Sequence, residues 1–109
     1  MSNGKIYLLK AIGDEDTFYK IGKTSRSAQH RADELDKNQA LTVSVLAEYN
    51  SDIYDMLETV VLKRFSHNKK KGEWFTFPDG IDADVFNTIC KMCEDNLKLF
   101  DINYLKKIR

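Results

Sequence analysis

The sequence predicts an α/β domain of the α+β kind, in which a small, mainly antiparallel three-stranded sheet packs against flanking helices. Short runs rich in strand-forming residues alternate along the chain with longer segments whose apolar residues recur at helical spacing. The 109 residues contain no internal repeat or linker, and the single proline, Pro78, lies in a predicted turn. These observations predict one domain, residues 1–109, with one modest core.

The first half of the chain predicts three strands and one helix. Strands are predicted over residues 5–12 and 17–22, and the acidic turn 13–16 joins them as an antiparallel hairpin. A helix begins near Ser27, whose hydroxyl can cap it. Residues 41–49 begin with strand alternation, with Leu41, Val43 and Val45 on one side, and form the third predicted strand.

The second half predicts two helices separated by a basic loop and an aromatic strand. Residues 50–52 supply capping side chains for a helix that runs to about residue 65. A basic loop follows over 66–72, and 73–77 form a short aromatic strand. Asp82 caps the C-terminal helix, which runs over about 82–101 with an apolar face that includes Cys90 and Cys93. We interpret both cysteines as core residues rather than half of a zinc site.

Composition excludes several classes of protein. Apolar residues make up 42% of the chain, too many for a disordered protein. No apolar run is long enough to span a bilayer and no secretory signal is recognised, so we expect a cytoplasmic protein, in the host cell if it is viral. The 17 basic and 17 acidic residues cancel, which argues against a purely electrostatic nucleic-acid binder but allows a local basic patch.

Three charged residues interrupt otherwise apolar helix faces, namely Arg31, Glu58 and Arg64. One interpretation is that they lie at the edge of the core, or pair in structural salt bridges. The other is that Arg31 and Glu58 face one cleft beside the hairpin. Arginine suits bidentate phosphate recognition, and a carboxylate suits a hard cation such as Mg²⁺.

The order of several short motifs resembles the GIY-YIG nuclease superfamily, in particular its small phage and viral branch, near the meiotically up-regulated type domains. The motifs, which span about residues 4–77, are Lys5-Ile6-Tyr7, Tyr19-Lys20-Ile21-Gly22-Lys23-Thr24, Arg31, Glu58 and Gly72-Glu73-Trp74-Phe75. The resemblance implies a three-stranded antiparallel sheet flanked by helices. It also implies hydrolysis of DNA phosphodiester bonds with one divalent cation, Mg²⁺ or Mn²⁺, and a tyrosine that activates the attacking water.

The resemblance also implies roles for individual residues. Tyr7 corresponds to the tyrosine of the first motif, Arg31 to the arginine that steadies the phosphate, and Glu58 to the carboxylate that holds the metal. Lys20 stands where the second motif usually has tyrosine, and Tyr19 lies one position earlier. Because adjacent strand residues face opposite sides, we expect Lys20 rather than Tyr19 to point into the site, as a phosphate ligand or a base.

Further basic residues are candidates for binding DNA phosphates. They are Lys23 and Arg26 after the second motif, and Lys69, Lys70 and Lys71 in the predicted basic loop. The alternative for the loop is a solvated run of charge. Asn68 is the nearest counterpart of the family's late asparagine. Trp74 in the aromatic strand is interpreted as a core residue, with a base-stacking role as the alternative.

The preferred function is therefore a metal-dependent DNA endonuclease, with DNA as its partner and no membrane association. One alternative is a catalytically impaired DNA-binding module, which the lysine at position 20 favours. Another is a viral protein-interaction module built on the same fold with a protein partner, which the zero net charge favours.

Overall fold

The structure, a computed structural model, describes residues 3–38, 42–72 and 74–107 and confirms the α+β class. Leu41 and Glu73, which the predicted strands include, lie outside the described residues. In chain order the elements are β1 (Gly4–Ile12), β2 (Thr17–Thr24), α1 (Ala28–Asn38), β3 (Thr42–Ser51), α2 (Tyr54–Arg64), a 3₁₀ turn (Ser66–Asn68), β4 (Lys69–Lys71), β5 (Trp74–Phe75) and α3 (Ala83–Lys107).

The strands of the described residues form one antiparallel sheet of five strands in the order β3-β1-β2-β5-β4. The predicted hairpin is confirmed: β1 and β2 pair from Lys5 opposite Thr24 to Ile12 opposite Thr17. The Gly13 amide donates to the Asp16 carbonyl at 2.9 Å and closes the turn. β3 returns to the other side of β1, so the hairpin lies at the centre of the sheet.

Helices cover both faces of the sheet, and strand alternation divides the apolar residues between two clusters. α2 and α3 pack on one face, where the largest buried side chains include Ile6, Leu8, Leu57, Val61 and Phe86. α1 packs on the other face against β1 and β3, and this smaller cluster contains Tyr7, Leu9, Ala11, Ala28, Ala32 and Val43. Residues that alternate along β1 and β2 therefore belong to different sides of the molecule.

A β-bulge in β3 moves part of that strand from one cluster to the other. Leu8 pairs with Ala47 and Leu9 pairs with Val45, so Leu46 is the additional residue. Val43 and Val45 pack with α1, as the predicted alternation requires, whereas Ala47 packs on the opposite face with α2 and α3.

The prediction of a basic loop over 66–72 is wrong, because this segment forms the 3₁₀ turn and edge strand β4. β4 pairs with β5, which raises the strand count from the three predicted, plus the aromatic strand, to five. Asn68 holds the pair at its end: its carbonyl accepts from the Thr76 amide at 2.8 Å, and its side-chain amide donates to the Thr76 carbonyl at 3.1 Å. The side chain of Asn68 thus has a structural partner.

The predicted N-terminal caps are confirmed for α1 and α3, and the cap predicted for α2 is wrong. Ser27 accepts from the His30 amide at 3.1 Å, and Asp82 accepts from the Val85 amide at 2.8 Å, as predicted. α2 instead has Ile53 as its N-cap, without a side-chain hydrogen bond. Ser51, a predicted cap, ends β3 instead and its hydroxyl accepts from the Ile53 amide at 3.1 Å.

A carboxylate on α3 connects that helix to β3. Glu94 accepts hydrogen bonds from the hydroxyls of Tyr49 at 2.8 Å and Ser51 at 2.5 Å. Burial, followed by the hydrogen bond to Glu94, raises the pKa of Tyr49 well above its usual value, so the phenol stays a donor. α3 extends past the predicted end near residue 101 to Lys107. In the described part of the chain no helix has the length and apolar character needed to cross a membrane.

The buried thiols predict how stability changes at alkaline pH. Cys90 and Cys93 are free and buried, and burial raises the pKa of Cys90 from its ordinary 9.0 to about 12. The unfolded chain therefore loses this proton at lower pH than the folded chain. The stability contributed by the neutral thiol is full below about pH 9 and is lost as the pH rises toward 12, at no more than about 1.4 kcal/mol per pH unit.

We expect the free energy of unfolding, measured by urea denaturation between about pH 8 and about pH 11, to fall more steeply for the wild type than for Cys90→Ala. The comparison removes the contribution of lysines and tyrosines, which titrate in both proteins. Equal slopes for the two proteins would contradict this prediction.

Candidate functional site

A cleft of about 630 Å³ opens beside β2. The four residues that the resemblance places in a common site all line it, namely Tyr7, Lys20, Arg31 and Glu58. The other residues of its wall are Ile21, Gly22, Lys23, Leu62, Lys63, Ser66, Lys69, Gly72 and Phe75. Elements that are far apart in sequence therefore meet here.

The cleft contains side chains from both faces of the sheet. Among the described residues β5 pairs with Tyr19 and Lys20 alone, whereas β2 continues to Thr24. Arg31 reaches this edge from α1 on one face, and Glu58 reaches it from α2 on the other. Side chains from both faces of the sheet therefore meet at this edge.

Gly22 lets the Tyr7 ring lie across β2. The two residues are opposite each other in the β1–β2 register. A Cβ atom on Gly22 would come within 2.6 Å of Tyr7 Cζ and still closer to its hydroxyl. Contacts this short do not occur, so the absence of a side chain at position 22 lets the phenol reach the cleft.

Lys20 and Tyr19 point to opposite sides of β2, as the alternation of strand residues requires. Lys20 is only 3% exposed, and its Nζ lies 5.6 Å from the centroid of the Trp74 ring, on the same side as Tyr7. Tyr19 lies in the core on the α2–α3 side, where its ring meets Phe77 edge to face at 5.1 Å. The structure thus does not place Tyr19, a candidate catalytic residue from the sequence, in the cleft.

Glu58 lies next to a second carboxylate and a lysine. Its side chain is 20% exposed, and its Oε1 lies 3.8 Å from Lys23 Nζ. Asp55, one turn earlier on α2, contacts the same ammonium at 2.7 Å. The hydrogen bond to Asp55 raises the pKa of Lys23, which keeps the amine charged. Sequence reasoning missed Asp55, although its spacing of three residues from Glu58 places both on one helix face.

Arg31 lies at the rim, with its side chain 39% exposed. Its Nη1 atom is 3.4 Å from Glu34 Oε2, one turn later on α1. The rim position allows the guanidinium to contact a phosphate that enters the cleft. Arg64, the third charge that interrupts an apolar face, lines a different cavity between α2 and α3.

The five basic candidates for phosphate binding do not form one patch. Lys23 and Lys69 line the cleft. Lys70 lies on the α1 side of the sheet, with its Nζ 5.6 Å from the centroid of the Phe18 ring, and Lys71 pairs with Trp74. Arg26 follows β2 outside the cleft wall, where its carbonyl accepts from Lys5 Nζ at 3.0 Å. The lysines of 69–71 separate because Lys69 pairs with Phe75 and Lys71 with Trp74, with a β-bulge between them.

One family model matches the chain over most of its length. It is described as the T5orf172 domain, and it covers residues 4–94. The matched range contains all five strands, the four cleft residues discussed above and the first half of α3. No curated protein and no solved structure matches the chain.

Proposed function

The chain belongs to the T5orf172 domain family, a phage-type nuclease-like domain, and from that premise we propose that it is a DNA endonuclease of the GIY-YIG type. The proposed reaction is metal-dependent hydrolysis of a phosphodiester bond in the cleft at the edge of β2. The observation that carries the proposal is the meeting of Tyr7, Lys20, Arg31 and Glu58 in that cleft, from four different elements.

The carboxylate of Glu58 is the residue that would hold the divalent cation. Among the described residues no three His, Cys, Asp or Glu side chains come together as a metal cluster. A single carboxylate suits Mg²⁺ or Mn²⁺ better than a structural zinc, because Mg²⁺ uses one or two carboxylates and completes its shell with water and phosphate oxygens. The cation would neutralise charge on the scissile phosphate and lower the pKa of water.

The other cleft residues would act on the phosphate and the nucleophile. Arg31, at the rim, would hold a phosphate oxygen and offset the charge that develops in the transition state. The phenol oxygen of Tyr7, positioned by Gly22, would accept a hydrogen bond from the attacking water and orient it. Lys20 lies on the same side of β2 as Tyr7 and would contact the phosphate from the floor of the cleft.

Incubation of the protein with supercoiled plasmid tests the proposal. We expect conversion to the nicked form with Mg²⁺ or Mn²⁺, and none with excess EDTA. Arg31→Ala should reduce the rate by about a hundredfold or more, as expected for loss of a group that stabilises transition-state charge. Lys91→Ala, which removes an exposed cation on α3, is the matched control. No nicking with either metal would contradict the proposal.

A DNA-binding module without cleavage is the second candidate. The ammonium of Lys23 lies 3.8 Å from Glu58 and 2.7 Å from Asp55, and so occupies space beside the carboxylate that a divalent cation requires. A salt-dependent shift assay with duplex DNA, in the absence of nicking, would favour this candidate.

Either candidate predicts that Lys69 contributes to the salt dependence of DNA binding, because it lines the cleft. For Lys69→Ala we expect the slope of log affinity against log salt concentration on duplex DNA to become shallower by roughly 0.9. The slope for Lys91→Ala should equal that of the wild type. An unchanged slope in Lys69→Ala would remove this lysine from the DNA contacts.

A further inference from the structure

The α1 side of β2, β5 and β4 forms a partly open surface next to the cleft. α1 packs mainly against β3 and β1, and the described helices α2 and α3 lie on the opposite face. Phe18 and Trp74 remain partly exposed there, on adjacent strands, with their ring centroids 6.4 Å apart in an edge-to-face arrangement.

Each of the two rings has a lysine beside it. Lys20 Nζ lies 5.6 Å from the centroid of the Trp74 ring, and Lys70 Nζ lies 5.6 Å from that of Phe18. Lys71 pairs with Trp74 and is exposed. Partly exposed aromatic rings interleaved with cations are complementary to a single strand, because bases stack on the rings and phosphates approach the ammonium groups.

We propose that Phe18, Trp74, Lys70 and Lys71 form a stacking platform for unpaired DNA bases. Lys20 connects this platform to the cleft, since it contacts the Trp74 ring and also lines the cavity that contains Glu58. A DNA strand whose bases stack on the platform would therefore have a neighbouring phosphate in the cleft. The inference deepens the proposed function and rests on it for one point: the substrate is DNA with a single-stranded segment, such as a flap or gap, next to the cleaved bond.

The alternation of side chains along β2 also places the residues of this platform on one side of the sheet. Phe18 pairs with Ala11 and Lys20 pairs with Leu9 and Trp74, all on the α1 side. Base stacking in an intact duplex leaves no base face available to such rings, so a platform of this kind selects unpaired over paired DNA.

Trp74 reports directly on this surface because it is the only tryptophan in the chain. The probe is an oligo-dT of about 12 nucleotides, comparable to the site sizes of single-strand binding domains. In buffer with EDTA we expect the oligonucleotide to quench the tryptophan fluorescence in a saturable manner. A blunt duplex of the same length should bind more weakly and quench less.

Variants at position 18 distinguish stacking from general charge attraction. Phe18→Leu keeps an apolar side chain but removes the ring, and we expect it to weaken oligo-dT binding at least about fivefold. Phe18→Tyr keeps the ring and should retain affinity. Phe100→Leu alters a 68% exposed ring on α3 and is the matched control. Thermal melting confirms that each variant is folded.

Binding without a change in Trp74 fluorescence, or equal affinities of Phe18→Leu and Phe100→Leu, would overturn the proposal. The titration contains no divalent cation and needs no cleavage. A negative titration would therefore contradict the platform without bearing on plasmid nicking. Likewise, an absence of plasmid nicking would contradict the proposed nuclease activity without bearing on the titration.

Discussion

Glu58→Gln is expected to reduce metal-dependent nicking at least about a hundredfold, while the affinity for DNA stays the same or rises slightly. The amide keeps the shape of the side chain but loses the charge that holds a divalent cation. It also removes one negative charge from a cleft that would receive phosphates, which accounts for the direction of the change in affinity. The measurements are initial rates of plasmid nicking with Mg²⁺ and DNA binding in EDTA.

The matched control for Glu58→Gln is Asp95→Asn, the same carboxylate-to-amide change at an exposed position on α3 that pairs with Lys91. It should leave both nicking and binding unchanged. A cooperative melting transition is required of both variants. Nicking by Glu58→Gln at the wild-type rate would show that another group holds the metal.

Gly22→Ala is expected to reduce nicking by at least about tenfold, and by up to about a hundredfold, because it displaces Tyr7 from the cleft. The added Cβ would overlap the far end of the Tyr7 ring, which has to turn away. Tyr7 is only 3% exposed and lies in the smaller cluster on the α1 side, so its movement disturbs the packing there, and we expect a lower melting temperature together with the lower rate. Nicking rates and thermal melting measure the two effects.

Gly4→Ala is the matched control, since its Cβ would come within 2.5 Å of the Tyr54 ring, away from the cleft. It should lower the melting temperature and keep the nicking rate of the folded protein. A double-mutant cycle completes the test: with Tyr7→Ala already present, Gly22→Ala should have little further effect on the rate. Additive effects would contradict the positioning role of Gly22.

Local patterns in the sequence predict the central part of the fold well. The hairpin of β1 and β2 and the caps Ser27 and Asp82 depend on residues close together in the chain, so short-range spacing identifies them. The same holds for Lys20 facing the cleft while Tyr19 faces the core, because the period of a strand fixes that relation.

Features that depend on distant partners could not be predicted in this way. Three consecutive lysines do not predict a strand. They form β4 because they pair with β5, and the hydrogen bonds between Asn68 and Thr76 hold the end of that pair. The bulge at Leu46 lies within an apolar run, and in such a run the sequence does not show which side chains face which side of the sheet. The distribution of 69–71 over two faces of the sheet follows from that pairing, and so was missed as well.

The position of the cleft beside β2 has a consequence for solubility. A strand edge that no neighbour covers attracts other extended chains, which add to it and build aggregates. Beyond Lys20, the β2 residues Ile21, Gly22 and Lys23 line the cleft. The charges of Lys23 and Asp55 stand beside that edge and oppose the approach of an apolar strand, as charged residues do at the edges of many natural sheets. Neutralising these two positions together would remove this protection from the edge.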